Sequence, residues 1–217
     1  MESKARKGEV HAIVFPYPIQ GHINPMLQFS KQLASRGLKV TLATTSTFSS
    51  KFMMLQSNSI TIETISDGSG ENATTENLDT YVKRFDVVAP RSLTELIEKK
   101  IGSGHDIRCL IYDSCIPWAL NIAKKLEIYS ASFFTQSCLV GLIYLQAYQG
   151  ILSAPVKGPG VCVVGMPLIE DRDLPSFVRL VGVHPILEKL MFSQVSNCGD
   201  ADWRFFNTFE GLESEVR

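Results

Sequence analysis

Residues 10–37 read VHAIVFPYPIQGHINPMLQFSKQLASRG, a short apolar run followed by a longer amphipathic one. The near-continuous apolar character of residues 10–17 predicts a strand that is buried on both faces of a parallel sheet. Asn24 as the N-cap and Pro25 at the first helical position predict a helix over residues 24–36, which a glycine then terminates. A buried strand followed by an amphipathic helix is the repeating unit of doubly wound α/β folds.

The same alternation continues through the rest of the chain. Further apolar runs predict strands at residues 38–44, 59–65, 107–112 and 129–135, with weaker ones at 160–164 and 202–207. Amphipathic stretches predict helices at residues 76–100, 115–126, 136–149 and 184–196, with a break near Pro90 in the first of these and an irregular stretch at 153–176. The pattern predicts an α/β fold with a doubly wound parallel sheet, and the 217 residues fit one large domain.

The composition narrows the classes of function. Apolar residues make up 45% of the chain and charged residues 20%, which is typical of a globular protein, and the net charge of −1 shows no basic excess for nucleic acid. The five cysteines are odd in number and lack C-x-x-C spacing, which disfavours a disulfide framework or a zinc site and favours a cytoplasmic location. Residues 1–10 are charged and polar, unlike a signal peptide, and no apolar run is long enough to span a membrane.

The loop after the first strand is the first place to look for chemistry, because ligands of such sheets bind outside the carboxyl ends of the strands. Gly21 permits either a close approach of the backbone or a positive φ. His22 is predicted to stand just before the capped helix, where the positive end of the helix dipole disfavours imidazolium. A neutral imidazole is what a general base requires, although a histidine that merely fills a turn fits the local pattern equally well.

The loop after the fourth predicted strand contains Asp113, which ends an apolar run and precedes a predicted helix. Two interpretations stay open from the residues alone. In one, Asp113 or Ser114 caps the helix. In the other, Asp113 faces the same crevice as His22, where an aspartate fixes the tautomer of a histidine and stabilises the imidazolium. Thr135 ends the fifth predicted strand and is expected at the same edge of the sheet.

Other motifs carry weaker signals. Residues 68–73 read GSGENA and match G-x-G-x-x-A, but the preceding strand is half polar and no apolar helix face follows, which disfavours a dinucleotide site. Glu170, Asp171 and Asp173 form an acidic cluster that we expect to be a solvated turn rather than a metal site. The sequence contains neither a Walker A motif nor a nucleophile elbow.

Five segments, taken together, resemble one family of enzymes. The most specific is VFPYPIQGHINPMLQFSKQLASRG (14–37), and LIYDSCIPWALNIAKKL (110–126), SFFTQS (132–137), MPLIEDRDLPSF (166–177) and FFNTFEGLESEV (205–216) follow in the same order. They are similar to segments in the first half of plant family-1 UDP-dependent glycosyltransferases. Within this family the sequence looks most like the group that glucosylates small carboxylic acids, phenolics, thiohydroximates and terpenoids.

The resemblance implies the GT-B architecture, in which two Rossmann-like domains face each other across a cleft. Residues 1–217 would form the N-terminal, acceptor-binding domain, and the C-terminal domain that mainly binds the UDP-sugar is expected to be absent from the chain. The resemblance also implies that His22 is the catalytic base and Asp113 its partner. Thr135 would contact the transferred sugar, and Gly21 would lie near the donor phosphate. The residues implied to line the acceptor pocket are Tyr17, Ile19, Trp118, Phe134, Gln136, Leu187 and Met191.

The implied reaction is an inverting transfer of a sugar, with glucose expected, from a UDP-sugar to a hydroxyl, carboxyl or thiol group. The acceptor would be a small apolar plant metabolite, and neither a metal nor another cofactor is expected. Three alternatives stay open: a non-catalytic module that binds small apolar ligands, an unrelated NAD(P)- or nucleotide-binding domain, and an unstable fragment that exposes apolar surface.

Overall fold

A computed structural model describes residues 10–46, 48–49, 59–69, 77–163 and 166–213 of the protein. In chain order, its strands are β1 (His11–Phe15), β2 (Lys39–Thr45), β3 (Ile60–Ile65), β4 (Ile107–Asp113), β5 (Tyr129–Phe134), β6 (Gly160–Cys162), β7 (Leu168–Glu170) and β8 (Trp203–Phe206). The α-helices that concern the site are α1 (Gln20–Ser35), α2 (Leu78–Gly102), α3 (Ala119–Lys125), α4 (Cys138–Tyr148), α5 (Ser176–Arg179) and α6 (Pro185–Ser193).

Six of the strands form one sheet in the order β3-β2-β1-β4-β5-β8. β1 is parallel to both β2 and β4, and β2 is parallel to β3. The Rossmann-like parallel sheet predicted from the sequence is thereby confirmed, and its strands begin and end close to the predicted residues. β6 and β7 form a separate antiparallel pair.

The chain divides into two compact units, and the boundary passes through β4 and β5. The first unit comprises residues 1–112 and 118–131, and the second comprises residues 113–117 and 132–217. The described part of the first unit therefore contains β1 to β3, α1 to α3, most of β4 and the first half of β5. The described part of the second contains Asp113, the last half of β5, α4 to α6, the β6–β7 pair and β8.

The strand that precedes the first candidate loop is anchored firmly. Every residue of β1 is buried, and α1 buries a stripe that comprises Ile23, Met26, Leu27 and Ser30. Fully burying a large aliphatic side chain contributes about 1.5–3 kcal/mol. The core of the first unit therefore fixes both ends of the loop that joins β1 to α1.

The start of α1 differs from the prediction. The helix begins at Gln20 rather than after Asn24, and Pro25 lies inside it. The backbone N–H groups of His22 and Ile23 donate to the carbonyl of Ile19, which starts the helix one turn earlier than an asparagine cap would. Pro25 is the sixth residue of the helix, so α1 lacks the bond that an N–H at this position would donate to the carbonyl of Gly21. The predicted helix end is right, since Gly37 follows α1 with a φ of 88°.

The predicted break at Pro90 is wrong, because α2 is continuous over 25 residues. The side chain of Asn77 caps its start by accepting from the N–H of Thr80, and Lys99 and Lys100 lie in its last turn. The helix buries a continuous stripe formed by Val82, Phe85, Ala89, Leu93, Leu96 and Ile97. The burial of this stripe offsets the roughly 3 kcal/mol that an internal proline costs. Among the described residues, no helix combines the length and the apolar character that crossing a membrane requires.

The structure differs from the sequence-based prediction in two further places. α3 begins at Ala119, later than the predicted 115, and the stretch at 153–176 contains β6 and β7 rather than irregular structure alone. Some predicted features lie outside the described residues. These are the polar N-terminal stretch at 1–9, the part of the GSGENA match at 70–73 and the last residue of the strand predicted at 160–164.

Candidate active site

The loop after β1 holds four of the predicted site residues. Tyr17 is buried, whereas the side chain of Ile19 is 40% exposed. Gly21 and His22 are the second and third residues of α1, so His22 lies inside the first turn of the helix. The prediction that His22 stands just before the helix is therefore wrong. The imidazole is half-buried and its ring centroid lies 5.9 Å from that of Tyr17. The first turn keeps His22 at the positive end of the helix dipole, as the electrostatic argument requires.

The structure tests one of the two explanations that the sequence offers for a glycine at position 21. Its φ does not lie in the positive range, since it is absent from the glycines that adopt one. A Cβ built at this position would find nothing within 4 Å. The backbone of Gly21 is therefore exposed, with open space where a side chain would stand.

A cluster of aromatic rings surrounds Tyr17 within the first unit. The ring of Phe85, on α2, lies 5.4 Å from that of Tyr17, 6.2 Å from that of Phe15 and 5.9 Å from that of Trp118. Trp118 is half-buried, and its indole Nε1 donates to a carboxylate oxygen of Asp86 over 3.2 Å. Phe85 was not among the predicted site residues. The helical spacing of apolar residues in α2 predicts that Phe85 is buried, but it does not predict which rings Phe85 contacts.

Asp113 ends β4, the strand beside β1. The two strands are parallel, with Phe15 opposite Tyr112, the residue before Asp113. Asp113 is buried, and its Oδ1 accepts from the backbone N–H of Cys115 over 3.0 Å. Burial and the neighbouring carboxylate of Asp113 raise the pKa of the Cys115 thiol.

The helix-capping interpretation of this loop is wrong. α3 begins at Ala119, its N-cap residue is Trp118, and no side chain caps it. The carboxylate of Asp113 instead closes a short turn to Cys115, two residues later in the chain. Neither Asp113 nor Ser114 is therefore explained as a helix cap.

The loop at 113–117 is held in place by contacts within the second unit. The N–H of Ser114 donates to the carbonyl of Phe133 on β5 over 2.9 Å, and its hydroxyl donates to Oε1 of Gln194 over 3.3 Å. Nδ2 of Asn197 donates to the carbonyl of Pro117 over 2.8 Å. Gln194 and Asn197 follow α6, and no pattern in the sequence indicates that they support this loop.

The residues after β5 form a second group of predicted site residues. Phe134 is buried and its ring stacks on that of Phe206, with 4.6 Å between centroids. Thr135 is half-buried, and its carbonyl accepts from Nδ2 of Asn207 over 3.2 Å. Nε2 of Gln136 lies 3.4 Å from the sulfur of Met191.

The predicted pocket residues thus fall into two groups. Tyr17, Ile19, Gly21, His22 and Trp118 belong to the first unit, and Asp113, Phe134, Thr135, Gln136, Leu187 and Met191 belong to the second. Within the second group, the structure brings the loop after β5 to α6 through the contact of Gln136 with Met191. Leu187 lies one turn earlier on α6 and is half-buried.

Comparison with known proteins shows which proteins this chain is similar to. Residues 8–65 match the N-terminal domain of glycosyltransferases. The chain is 38% identical over 212 residues to mogroside I-E synthase of Siraitia grosvenorii, with 97% of this chain and 47% of that protein covered. It is 37% identical over 219 residues to UDP-glycosyltransferase 74B1 of Arabidopsis thaliana, with 98% and 47% covered.

The fold comparison agrees with the sequence comparison. Os79 from O. sativa, in complex with UDP, matches with a TM-score of 0.79 at 28% identity, covering 94% of this chain and 47% of that one. The chain therefore spans about half the length of the curated relatives it matches. The resemblance predicted from the sequence is confirmed: the chain is similar to plant UDP-glycosyltransferases and matches about half of their length, consistent with their N-terminal half.

Proposed function

We propose that the chain is the acceptor-binding and catalytic-base half of an inverting UDP-glycosyltransferase. It moves a sugar, glucose in the first instance, from a UDP-sugar to a hydroxyl, carboxyl or thiol group of a small apolar plant metabolite. The named relatives support the reaction class, and Os79 was solved both with UDP and with a trichothecene. The observation that carries the proposal is the position of His22 in the first turn of α1, at the carboxyl end of a strand that neighbours β4.

In this proposal His22 removes the proton from the acceptor as the acceptor oxygen or sulfur attacks the anomeric carbon of the sugar. Asp113 fixes the tautomer of the imidazole and stabilises the imidazolium that forms. Such general-base catalysis contributes roughly 10²–10⁴-fold. A carboxylate acceptor is already deprotonated, so positioning matters more than proton removal for acceptors of that class.

The other predicted site residues have proposed roles in binding the sugar donor and the acceptor. Thr135 contacts the transferred sugar, and Gly21 lets the donor phosphate approach the backbone. The residues that line the proposed acceptor pocket are Tyr17, Ile19, Trp118, Phe134, Gln136, Leu187 and Met191. The half-buried indole of Trp118 and the exposed side chain of Ile19 support this assignment, because each leaves apolar area for a ligand to cover.

The proposed chemistry uses the UDP-sugar as a co-substrate and needs neither a metal nor another cofactor. The proposed acceptors are phenolics, carboxylic acids, thiohydroximates and terpenoids. The proposed location is the cytoplasm, and no nucleic acid takes part.

The test is a mass-spectrometric turnover assay with UDP-glucose and a panel of phenolic, carboxylic and terpenoid acceptors. It is run on the purified chain and on the chain fused to the second half of UDP-glycosyltransferase 74B1. We expect His22→Gln to lower turnover of a phenolic acceptor by roughly 10²–10⁴-fold. The exposed residue His184 gives the matched control, since His184→Gln should leave turnover unchanged.

Two results would overturn the proposal in different ways. Near-normal turnover of a phenol by the His22→Gln fusion would remove His22 as the base. Binding of the acceptors by a folded chain without any turnover, even in the fusion, would favour the module that binds small apolar ligands without catalysis.

A further inference from the structure

The segment at residues 206–213 runs along the end of β5 within the second unit. The ring of Phe206 stacks on that of Phe134, with 4.6 Å between centroids and 13° between planes. The backbone N–H of Asn207 donates to the carbonyl of Phe134 over 2.9 Å, and its Nδ2 donates to the carbonyl of Thr135 over 3.2 Å. These contacts hold the backbone of the loop that leaves β5.

Glu213 holds the other side of the same loop. Its Oε2 accepts from the backbone N–H of Cys138 over 2.9 Å, and its Oε1 accepts from that of Leu139 over 2.8 Å. The hydroxyl of Ser137, the N-cap residue, accepts from the N–H of Val140 over 3.4 Å. The first three N–H groups of α4 therefore all have acceptors, and a residue distant in the chain supplies two of them.

The electrostatics of this contact favour an ionised carboxylate. Burial raises the pKa of the Glu213 carboxyl, but the neighbouring Thr208 hydroxyl and the hydrogen bonds from the N–H groups of Leu139 and Cys138 outweigh this effect. The pKa of Glu213 therefore lies below its ordinary value. Burial and the charge of Glu213 raise the pKa of the Cys138 thiol. A negative charge at the positive end of a helix dipole adds to the attraction.

We propose that Glu213 is a positioning residue that fixes where Thr135 and Gln136 stand. These two residues occupy the short connection between β5 and the cap of α4, with Asn207 bonded on one side and Glu213 on the other. The functional part of this inference rests on the proposed function, in which Thr135 meets the transferred sugar and Gln136 lies in the acceptor pocket.

The first experiment measures the loop without any ligand. Glu213→Gln keeps the size of the side chain but removes its charge and one of its two acceptor oxygens. We expect amide hydrogen exchange at Cys138 and Leu139 to accelerate by about tenfold or more, and the backbone amide resonances of Thr135 and Gln136 to shift. Glu213→Asp, which keeps the charge, should restore part of the protection.

A matched control separates this effect from the loss of any surface carboxylate. Glu170 lies in the same unit and pairs over 2.9 Å with Arg172, whose side chain is 77% exposed. Glu170→Gln should change neither the exchange rates nor the resonances of the loop. Unchanged exchange and unchanged Thr135 and Gln136 resonances in Glu213→Gln would overturn the positioning role.

The second experiment measures the binding of 1-naphthol, an apolar phenol, to the same chain by fluorescence. We expect Glu213→Gln to weaken binding by about tenfold, because a small displacement of a positioning loop has effects of this size or larger. Glu213→Asp should bind more tightly than Glu213→Gln, and Glu170→Gln should bind like the unaltered chain. An unaltered chain that fails to bind 1-naphthol would count against the proposed function, while the exchange measurement still decides the positioning role. Equal binding by all variants, in a chain that does bind, would overturn the inferred functional effect of Glu213.

Discussion

Nδ2 of Asn197 donates a hydrogen bond to the main-chain carbonyl of Pro117 over 2.8 Å, joining residues that are far apart in the chain. Gln194 makes a parallel connection by accepting from the hydroxyl of Ser114. The turn that contains Asp113 is therefore held by the segment after α6, the helix that also carries Met191. A displacement of that segment would therefore displace the turn that contains Asp113.

Removing the bond from Asn197 should destabilise the loop after β4. We expect Asn197→Ala to lower the free energy of unfolding by about 1 kcal/mol, because the Pro117 carbonyl loses its donor. Urea denaturation of the 217-residue chain measures this loss, and amide exchange should rise within residues 113–117. Lys189→Ala, at an exposed position of α6, should leave both unchanged. Equal stability of Asn197→Ala and Lys189→Ala would show that the bond contributes nothing to the loop.

The aromatic cluster beside the first loop should depend on Phe85 more than on any predicted pocket residue. Phe85 is fully buried and its ring contacts Phe15, Tyr17 and Trp118. Phe85→Ala should lower the free energy of unfolding by about 3–5 kcal/mol, the usual cost of a large cavity. The nearby Val87 is 76% exposed, so Val87→Ala should cost little and serves as the control in the same denaturation series. A loss below about 1 kcal/mol for Phe85→Ala would contradict this account, since it would mean that the cluster refills the cavity.

The sequence predicted the sheet and the edge of the sheet at which His22 lies, because both depend on local patterns. Apolar runs of strand length alternate with amphipathic stretches, and parallel strands put the loops after β1 and β4 at one edge. The predicted start of α1 is too late because Asn24 and Pro25 match the residues typical of a helix start. The bonds from His22 and Ile23 to Ile19, in the preceding loop, start the helix earlier.

Other structural features could not be predicted from any local pattern in the sequence. The continuity of α2 through Pro90 depends on its buried stripe, whose burial stabilises the helix by more than the hydrogen bond lost at the proline would. Glu213 and Asn197 look like ordinary polar residues in the sequence, and only tertiary contacts reveal what they hold. Residues that support a site from a distance are therefore harder to predict than residues that follow its strands.

The buried histidine at the start of β1 should make the fold sensitive to mild acid. His11 is 3% exposed, and Nε2 lies 2.8 Å from the hydroxyl of Thr41. Burial lowers the pKa of His11 to about 4, and the positive charges of His105, Lys100 and Lys39 add to the effect. Between pH 6.5 and about 4 the unfolded chain therefore binds a proton that the folded chain does not, so stability falls as the pH is lowered through this window.

The size of this effect is bounded by the shift in pKa and amounts to about 3 kcal/mol at most. His11→Gln cannot take up the proton and should show a shallower loss of stability between pH 6.5 and pH 4.5. Urea denaturation at several pH values measures the difference, with His184→Gln as the exposed control. If the unaltered chain and His11→Gln had parallel pH profiles, His11 would not be the source of the acid sensitivity.

Gly21 offers a way to separate the stability of α1 from its proposed role toward the donor. An added Cβ would meet nothing within 4 Å at Gly21, and its φ is not positive, so Gly21→Ala should fold normally. The helix should gain up to about 1 kcal/mol, because alanine loses less backbone freedom than glycine. In the fusion with a donor-binding half, the new methyl group should nevertheless raise KM for UDP-glucose by keeping the phosphate away from the backbone.

The matched control for this prediction is Gly102→Ala. Gly102 is the last residue of α2, and a Cβ there also meets nothing within 4 Å. We expect the two variants to share unaltered or slightly higher stability in urea and to differ in KM for UDP-glucose. If KM rose in neither variant, the donor phosphate would not approach Gly21, and the open backbone at the start of α1 would need another explanation. If Gly21→Ala lost stability as well, the rise in KM would no longer report on the phosphate alone.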